Sequence, residues 1–346
     1  MNNTATKPQE NIKNQNNSEA NRIEVNLESP STKLYYYKNG KITTLPFDEN
    51  VAFIQKENLI WIDLYKPSVQ ELERVERLLE IEIPDISERE EIEMSSRYWE
   101  EDGITTINSY FITIDNNEAI KETVSLILKD NFLLSVRYRK LHSFNELLKK
   151  ILLFPELCNS GMNLLTNLLD IRIDFDADML EKMAKDLYLF RKDIIISKIT
   201  DEEKLRLISH FEEMNMKMRE SLLDKSRIIS SLIRNRSFSS ENINELKIML
   251  KDVNSLIDHA AFNFERLDSI QNIALASISI KQSKSMTIFT IANVLFLPPT
   301  LIASIYGMNF ILMPELTWEF GYPFSVVLMV LSSITPYLYF KKKGWF

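Results

Sequence analysis

Hydrophobic and polar positions in the first half of the chain follow strand-like and helix-like patterns in turn. Six short runs rich in β-forming residues predict strands: Leu34–Tyr37, Ile42–Leu45, Leu59–Leu64, Gly103–Ile114, Thr123–Leu128 and Phe132–Val136. The first two flank Asn39-Gly40, a pair typical of a tight hairpin turn. Ser68 and Glu71 have the spacing of a capping box that opens a helix. Residues 31–158 are therefore expected to form a mixed α/β domain.

The pattern changes in residues 159–285, where a stalk of long helices is expected. Glycine and proline, the two strongest helix breakers, are absent from residues 162–297. Breaks near Ser197–Asp201 and Ser237–Ser240 would give three helices. In the third, apolar residues recur in steps of four and three, the heptad pattern of a helix packed against other long helices. These residues are Leu246, Leu250, Val253, Ile257, Ala260, Phe264 and Leu267.

Two uncharged segments near the C-terminus are long enough to cross a membrane. Met286–Tyr306 has 21 residues and Pro323–Phe340 has 18. At about 1.5 Å per residue, the first matches the roughly 30 Å hydrocarbon core of a bilayer. The alternative, two core helices of a soluble protein, would need a large polar shell that the remaining chain does not supply. Residues 286–306 and 323–340 are therefore predicted to be transmembrane helices.

Basic residues flank these two spans on one side. Lys281 and Lys284 precede the first span, and a basic tail, residues 341–346, follows the second. The connecting loop, residues 307–322, has no Lys or Arg but contains Glu315 and Glu319. The positive-inside rule then predicts that both termini lie in the cytoplasm. Aromatic residues expected at the outer membrane surface are Phe310, Trp318, Phe320 and Tyr322.

The first span has small and polar residues on one face. They recur in steps of four and three: Asn293, Leu297, Thr300, Ser304 and Gly307. Polar groups in a bilayer are costly unless they face water or another helix. The face therefore either lines an aqueous channel or packs against a neighbouring helix. Because two spans are too few to enclose a pore, a channel would require a ring of subunits.

Composition excludes several other classes of protein. The net charge of −8 argues against nucleic acid as a partner. Cys158 is the single cysteine, so no intramolecular disulfide can form, and three scattered histidines offer no zinc-site spacing. No nucleotide-binding loop or nucleophile–base pattern supports an enzyme. Residues 1–30 contain eight asparagines and no apolar run, which predicts a disordered tail with no secretory signal.

The segment Tyr306-Gly307-Met308-Asn309-Phe310 resembles the Gly-Met-Asn signature of the CorA family of magnesium transporters. The surroundings are similar to that family as well, at Pro298, Met313–Leu316, Gly321–Pro323 and Lys341–Phe346. The resemblance is dense over residues 286–346 and looser over the helical body.

The resemblance implies a funnel-shaped homopentamer in a bacterial-type inner membrane, with Mg²⁺ as substrate and regulatory ligand and no covalent cofactor. The expected partners are further copies of the chain, the lipid bilayer and divalent cations. Ion entry would involve Tyr306, Gly307, Met308, Asn309 and Glu315. Since Mg²⁺ sheds its water reluctantly, a ring of Asn309 amide and Gly307 carbonyl oxygens could bind the ion through its hydration shell. Glu319 fits an ordinary solvated loop better than a cation-gathering role.

By the same resemblance, the long helix that ends in the first span forms the pore wall. Its inward positions would be Ser283, Met286, Phe289, Asn293, Leu297, Thr300 and Ser304. Phe289 and Leu297 are candidates for a hydrophobic gate. The chain departs from the family pattern in having Ser283 in place of asparagine, Thr287 in place of a basic residue, and Pro299 after Pro298. The double proline predicts a local kink or an altered gate.

Regulatory Mg²⁺ in this family fills acidic sites between subunits. Residues 85–102 hold eight acidic residues and two basic ones. We predict a sensor formed by Glu88 or Glu91 together with Asp252 on the long helix. A second acidic face comprises Asp170, Asp174, Asp178 and Glu181. For both groups the alternative is a solvated acidic surface.

Three other functions remain open from the sequence. Co²⁺ and Ni²⁺ share charge and hydrated size with Mg²⁺, so either could be the transported ion. Zinc transporters of the same superfamily typically depart from the methionine of the triplet, which here is Met308. A membrane-anchored helical scaffold would conduct nothing, but it would not need the polar face of the first span.

Overall fold

The computed structural model describes most of the chain after the N-terminal tail. The described residues are 31–47, 54, 56–91, 93, 97–115, 118–196, 198–235, 238–309 and 313–343. The tail predicted to be disordered, residues 1–30, lies outside them. The chain divides into two compact units, Met1–Leu189 with Leu207–Leu267 and Phe190–Arg206 with Asp268–Phe346.

A seven-stranded mixed sheet forms the centre of the first unit. Its strands are β1 (Ser31–Lys38), β2 (Lys41–Pro46), β3 (Leu59–Tyr65), β4 (Tyr98–Glu101), β5 (Ile104–Asp115), β6 (Glu118–Lys129) and β7 (Phe132–Arg137). They lie in the order β2-β1-β3-β7-β6-β5-β4. The β3–β7 pair is parallel and the other pairs are antiparallel.

The local signals read from the sequence are confirmed. Asn39 and Gly40 have φ angles of 53° and 75°, as the predicted hairpin turn requires. In helix α1 (Val69–Leu79) the Glu71 N–H donates to the Ser68 hydroxyl at 3.2 Å, and the Ser68 N–H donates to the Glu71 carboxylate at 2.8 Å. Strand β4 was not predicted, because its sequence, Tyr-Trp-Glu-Glu, shows no buried alternation at the edge of the sheet.

Two further helices of the first unit were also not predicted. They are α2 (Ile86–Glu90) and α3 (His142–Leu153). Helix α3 buries Phe144, which lies 6.1 Å from Trp61 and 6.2 Å from Phe111 between ring centroids. The aromatic contacts fix α3 against one face of the sheet.

The three predicted long helices are present, and their breaks lie where the sequence indicated. They are α4 (Gly161–Ile195), α5 (Asp201–Arg234) and α6 (Ser240–Tyr306). Ser239 caps α6, since its hydroxyl accepts from the Asn242 N–H at 3.2 Å.

The predicted heptad seam of α6 is wrong at one position. Phe264 is 50% exposed, whereas its neighbour Asn263 is 3% exposed. Steps of three and four are equivalent in a periodicity argument, so the pattern cannot decide which of two adjacent residues faces the interior. Leu246, Val253, Ala260 and Leu267 are buried as predicted, and Leu250 and Ile257 are half-buried.

A buried polar network joins α5 to β5. The Lys225 ammonium donates to the Tyr110 carbonyl at 2.7 Å and lies 3.2 Å from the Asp176 carboxylate. Asp224 accepts from the Ser109 hydroxyl at 3.1 Å and from the Tyr110 N–H at 3.0 Å. Burial raises the pKa of the Asp224 carboxyl to about 6. Since buried charges are tolerated only with such partners, the network fixes the position of α5 on the sheet.

The second unit contains both predicted spans. Helix α6 continues without interruption to Tyr306, a 3₁₀ turn follows at Pro314–Thr317, and the last helix is α7 (Gly321–Lys342). Among the described residues, α6 and α7 are the two helices that are long and apolar enough to cross a membrane.

Candidate ion pathway

The seven predicted pore-facing positions all lie on one exposed face of α6 in the single chain, which we call the pore face. It comprises Ser283, Met286, Phe289, Asn293, Leu297, Thr300 and Ser304. Met286, Phe289 and Leu297 expose 65, 69 and 65% of their surface. Large apolar side chains and small polar ones therefore share a face that no described residue of this chain covers.

On the opposite side, α6 has a buried residue and a hydrogen bond to α7. Ile291 is 7% exposed, and the Leu295 carbonyl accepts a hydrogen bond from the Ser333 hydroxyl at 2.8 Å. At 100° per residue, positions 291 and 295 lie about half a turn from the pore face. Contact with α7 therefore does not explain the polar residues of the pore face.

Thr300 presents an oriented acceptor on the pore face. Its hydroxyl donates to the Phe296 carbonyl at 2.7 Å. Because the proton is used in that bond, the oxygen retains lone pairs that can accept hydrogen bonds. An open depression surrounds it, lined by Asn293, Phe296, Leu297, Thr300, Leu301 and Ser304. Such an acceptor is suited to the water molecules around a cation.

The double proline does not end α6. Pro298 and Pro299 both lie inside the helix, which continues to Tyr306. Each proline lacks an N–H, so the carbonyls of Val294 and Leu295 lose their usual helical donors. Ser333 supplies a replacement donor to Leu295, as described above.

The Gly-Met-Asn triplet directly follows the C-terminal end of α6. The Gly307 N–H donates to the Ala303 carbonyl at 2.9 Å, and the Met308 N–H donates to Ile305 at 3.2 Å. Gly307 does not have the positive φ that a glycine helix end commonly shows. Met308 is 45% exposed and Asn309 is exposed.

The loop after the triplet is closely packed around Gly321. A Cβ at that position would overlap the backbone carbonyl oxygen of Glu315. The Gly321 N–H donates to the Trp318 carbonyl at 2.9 Å, and the Trp318 ring lies 5.7 Å from that of Phe324. Glu315 and Glu319 are exposed. Of the predicted aromatic group, Trp318, Phe320 and Tyr322 are exposed, and Phe310 lies outside the described residues.

An ion pair lies near the other end of the first span. The Lys281 ammonium is 2.9 Å from the Asp201 carboxylate, which also lies 2.9 Å from Lys204. The hydrogen bond from Lys281 holds the pKa of the Asp201 carboxyl below its usual range. Lys281 is five residues before Met286, so the pair lies roughly 8 Å along the helix from the predicted span.

Comparison with known proteins decides the family. The family described as "CorA-like Mg2+ transporter protein" matches residues 56–342. The magnesium transport protein CorA of Wolinella succinogenes is 42% identical over 293 residues, which is 83% of this chain and 91% of that protein. The chain belongs to the CorA family.

Other CorA proteins agree with this assignment. Those of Helicobacter pylori and Escherichia coli are 36 and 32% identical, over 86 and 90% of this chain and 94 and 98% of their own lengths. The complete structure of the CorA magnesium transporter from Methanocaldococcus jannaschii has a TM-score of 0.76 at 22% identity, covering 92% of this chain and all of that one. The ZntB cytoplasmic domain from Vibrio parahaemolyticus shares the fold at a TM-score of 0.53 and 12% identity, over 72% of this chain and 99% of that domain. Together with α6 and α7, CorA membership makes the chain a two-span membrane protein.

The acidic residues predicted to regulate this CorA chain do not form a metal site within the described part of one subunit. No group of three or more His, Cys, Asp or Glu side chains there is arranged to hold a metal ion. Glu88 caps α2, accepting from the Asp85 N–H at 2.9 Å, and Glu91 is exposed. Asp252 is exposed on α6 and lies close enough to Asp174 to act on its ionisation.

Asp174 belongs to the second acidic face, on α4. Partial burial, and then repulsion from Asp170, Asp178 and Asp252, raises the pKa of its carboxyl. Lys150, whose ammonium lies 3.8 Å from the Asp170 carboxylate, offsets part of this effect. Asp252 therefore lies within electrostatic range of the second acidic face, a proximity that the sequence analysis did not predict.

Two other residues of this CorA chain escaped prediction. In the sequence, nothing distinguishes Ser333 from other serines of the second span. Its role depends on the Leu295 carbonyl of α6, which the fold places next to it. Gly321 was noted as part of a motif, but its close contact with Glu315 depends on the path of the loop. Pro299 was the available signal for Ser333, because it shows that one carbonyl of α6 needs another donor.

Proposed function

We propose that this chain is a divalent-cation channel that carries Mg²⁺ into the cell across the inner membrane, driven by the membrane potential. The observation that carries the proposal is the pore face, exposed along α6 and leading to Gly307, Met308 and Asn309. An anchor or scaffold would not need exposed polar residues inside a bilayer. The names of the relatives, which are magnesium transport proteins, support the same ion.

Selection would act on the hydrated ion. Mg²⁺ is small, prefers octahedral coordination and loses water reluctantly. The exposed Asn309 offers an amide oxygen, and Tyr306, Gly307 and Met308 add backbone carbonyls near it. These neutral acceptors can bind the water shell without holding the ion so tightly that it cannot leave. Glu315 would raise the local cation concentration at the mouth.

The pathway requires several subunits. One chain leaves the pore face uncovered, and two spans cannot enclose an aqueous channel. A ring of copies with this face inward, a homopentamer as the family resemblance implies, would remove it from lipid. Phe289 and Leu297 would then form apolar rings able to exclude water when the ring narrows.

Orientation follows from the charges beside the spans. Lys281 and Lys284 precede α6's span and Lys341–Lys343 end α7, while the described loop residues between the spans include Glu315 and Glu319. On the positive-inside rule, both termini and residues 1–285 would lie in the cytoplasm. Entering ions would therefore meet Asn309 first.

Regulation by cytoplasmic Mg²⁺ would use the acidic residues of the first unit. A bound divalent cation would relieve the repulsion that Asp174 experiences from Asp170, Asp178 and Asp252. Glu88 and Glu91 remain the proposed contribution from a neighbouring subunit. Filling such a site would stabilise one arrangement of subunits and so shift the open–closed equilibrium.

Flux into proteoliposomes tests the proposed function. We expect the wild-type chain to carry Mg²⁺, and Asn309→Ala to lose most of that flux because the first hydrogen-bonding ring is removed. Asn131→Ala, an exposed asparagine in the β6–β7 turn, is the matched control and should behave as wild type. Parallel assays with Co²⁺, Ni²⁺ and Zn²⁺ rank the ions. Undiminished flux in Asn309→Ala would refute the selectivity assignment, and no flux in wild type would refute the channel.

A further inference from the structure

Consecutive prolines remove the usual helical donors of two backbone acceptors in α6. Pro298 and Pro299 have no N–H to give to the carbonyls of Val294 and Leu295, four residues earlier. Inside a bilayer a freed carbonyl is costly, and a Ser or Thr side chain or a neighbouring helix is one of the ways in which it is satisfied.

Ser333 of α7 is such a partner. Its hydroxyl donates to the Leu295 carbonyl at 2.8 Å in a partly buried position. The adjacent serine of α7, Ser332, donates instead to the Met329 carbonyl of its own helix at 2.7 Å. Two neighbouring serines therefore have different roles: one bonds within α7, and the other joins α7 to α6.

The bond lies at the level of the proposed pathway. Leu295 is two residues from Asn293 and two from Leu297, both on the exposed pore face. Because Leu295 faces α7 and these two face away from it, a bond at the Leu295 carbonyl limits rotation and bending of α6 at this level. The second span can thus control the position of the pore face without touching an ion.

We propose that Ser333 is a positioning residue for ion conduction, holding the proline segment of α6 through the Leu295 carbonyl that Pro299 leaves free. This inference rests on the proposed channel function. Without the hydroxyl, the carbonyl lacks a donor in the conformation described here, and conformations in which α6 has turned or bent to satisfy it gain population.

A double-mutant cycle tests this mechanism. Ser333→Ala should change Mg²⁺ flux by about three- to fifteen-fold, the range expected for one hydrogen bond between membrane helices. A higher flux would mean that the hydrogen bond stabilises a less conducting conformation. A lower flux would mean that it stabilises a more conducting one. Either change supports the proposal. Ser333→Thr keeps the hydroxyl and should retain near wild-type flux. Ser332→Ala, which leaves the bond between the helices intact, should also retain near wild-type flux.

The proline variants identify the acceptor. Pro299→Ala restores a helical N–H to Leu295, so adding Ser333→Ala in that background should change flux less than about twofold. Pro298→Ala restores the donor of Val294 instead, so the full effect of Ser333→Ala should persist there. Equal effects of Ser333→Ala in the wild-type and Pro299→Ala backgrounds would overturn the proposal, as would equivalence of Ser333→Ala and Ser332→Ala.

Thermal unfolding of the same purified variants separates this inference from the channel assignment. The Tm shift caused by Ser333→Ala should be smaller in the Pro299→Ala background than in the Pro298→Ala background, whether or not the chain conducts. Wild-type protein that carries no Mg²⁺ would refute the channel, while the Tm cycle would still decide whether Ser333 acts through Leu295. Equal Tm shifts in both proline backgrounds would count against the bond.

Discussion

Gly307 and Gly321 differ in what surrounds them. A Cβ at Gly321 would overlap the Glu315 carbonyl oxygen, whereas a Cβ at Gly307 would lie 3.1 Å from the Ala303 carbonyl oxygen. The first contact involves backbone that cannot move without displacing the loop. The second is relieved by a shift of a few tenths of an ångström. Within one chain, therefore, the fold needs glycine at position 321 far more than at position 307.

This contrast gives a prediction that separates stability from conduction. Gly321→Ala should lower the Tm, at a cost of about 1–3 kcal/mol or more, because an inserted methyl group forces the backbone apart. Gly307→Ala should leave the Tm near that of wild type but reduce Mg²⁺ flux, since the extra methyl group would narrow the ring at the pore entrance. The Tm of each variant is measured on purified protein, and its Mg²⁺ flux is measured in proteoliposomes. A large Tm loss in Gly307→Ala with normal flux in the folded fraction would contradict the prediction.

Asp224 gives the first unit a defined pH dependence. Burial raises the pKa of its carboxyl from 3.8 to about 6. Between these values the folded chain keeps a proton that the unfolded chain has released, so this group's contribution to stability falls as pH rises from about 4 to 6. Asp224→Asn removes the titration. The stability of the variant relative to wild type should increase by up to about 3 kcal/mol across that interval.

Thermal unfolding of the full chain in detergent between pH 4 and pH 7 measures this difference. Comparing variant and wild type at each pH cancels the other titrating groups. A difference that stays constant over the interval would show that Asp224 does not titrate there.

At the residue scale, sequence patterns predict side chains whose role depends on their immediate neighbours. Asn39-Gly40 and the Ser68–Glu71 box were predicted because their partners lie within three residues. Ser333 was not, because its acceptor is 38 residues away. The same holds for Asp174, whose carboxyl is affected by Asp252 on another helix.

Among the helices, α6 was the most predictable. The absence of glycine and proline over most of its length predicts one continuous helix, and Ser239 marks its start. The spacing of Asn293, Thr300 and Ser304 also predicted a polar face on the first span, and these residues are exposed in the structure. Periodicity failed at Phe264 and Asn263, where tertiary packing places the polar residue inside.

Asp174 on α4 and Asp252 on α6 give a prediction for the proposed regulation by cytoplasmic Mg²⁺. Asp174→Asn and Asp252→Asn should each raise the cytoplasmic Mg²⁺ concentration needed for half-inhibition by about fivefold or more. Each removes a carboxylate of this acidic group, either the one whose pKa is raised or one of those that raise it. Asp130→Asn in the β6–β7 turn is the matched control, since asparagine also tolerates its positive φ of 50°. The concentration for half-inhibition is obtained from flux into proteoliposomes that contain defined concentrations of internal Mg²⁺.

An unchanged half-inhibition in both acidic variants would place the regulatory site elsewhere. A shift in Asp130→Asn of equal size would show that the effect comes from lost surface charge in general and not from this pairing.

For the whole molecule, the sequence separates an α/β domain, a long helical segment and two spans, because each has its own periodicity and composition. The order of strands in the sheet could not be predicted, since the β3–β7 parallel pair joins segments that are about 70 residues apart. The burial of Lys225 and Asp224 could not be predicted either, because charged residues are usually expected at the surface.

The central claim for the assembled molecule is that one face of α6 lines an aqueous path while the opposite face packs on α7. Native Cys158 is buried, and burial raises the pKa of its thiol to about 11. The wild-type chain should therefore react little with thiol reagents, so introduced cysteines can be labelled selectively. The test compares Thr300→Cys and Ser304→Cys with Ile291→Cys on the packed face.

Each variant is treated in proteoliposomes with a water-soluble, positively charged thiol reagent, and Mg²⁺ flux is followed. We expect Thr300→Cys and Ser304→Cys to be modified and blocked, with protection by high Mg²⁺, while Ile291→Cys keeps its flux. Equal modification of all three positions, or none at Thr300→Cys and Ser304→Cys in a conducting protein, would contradict the account.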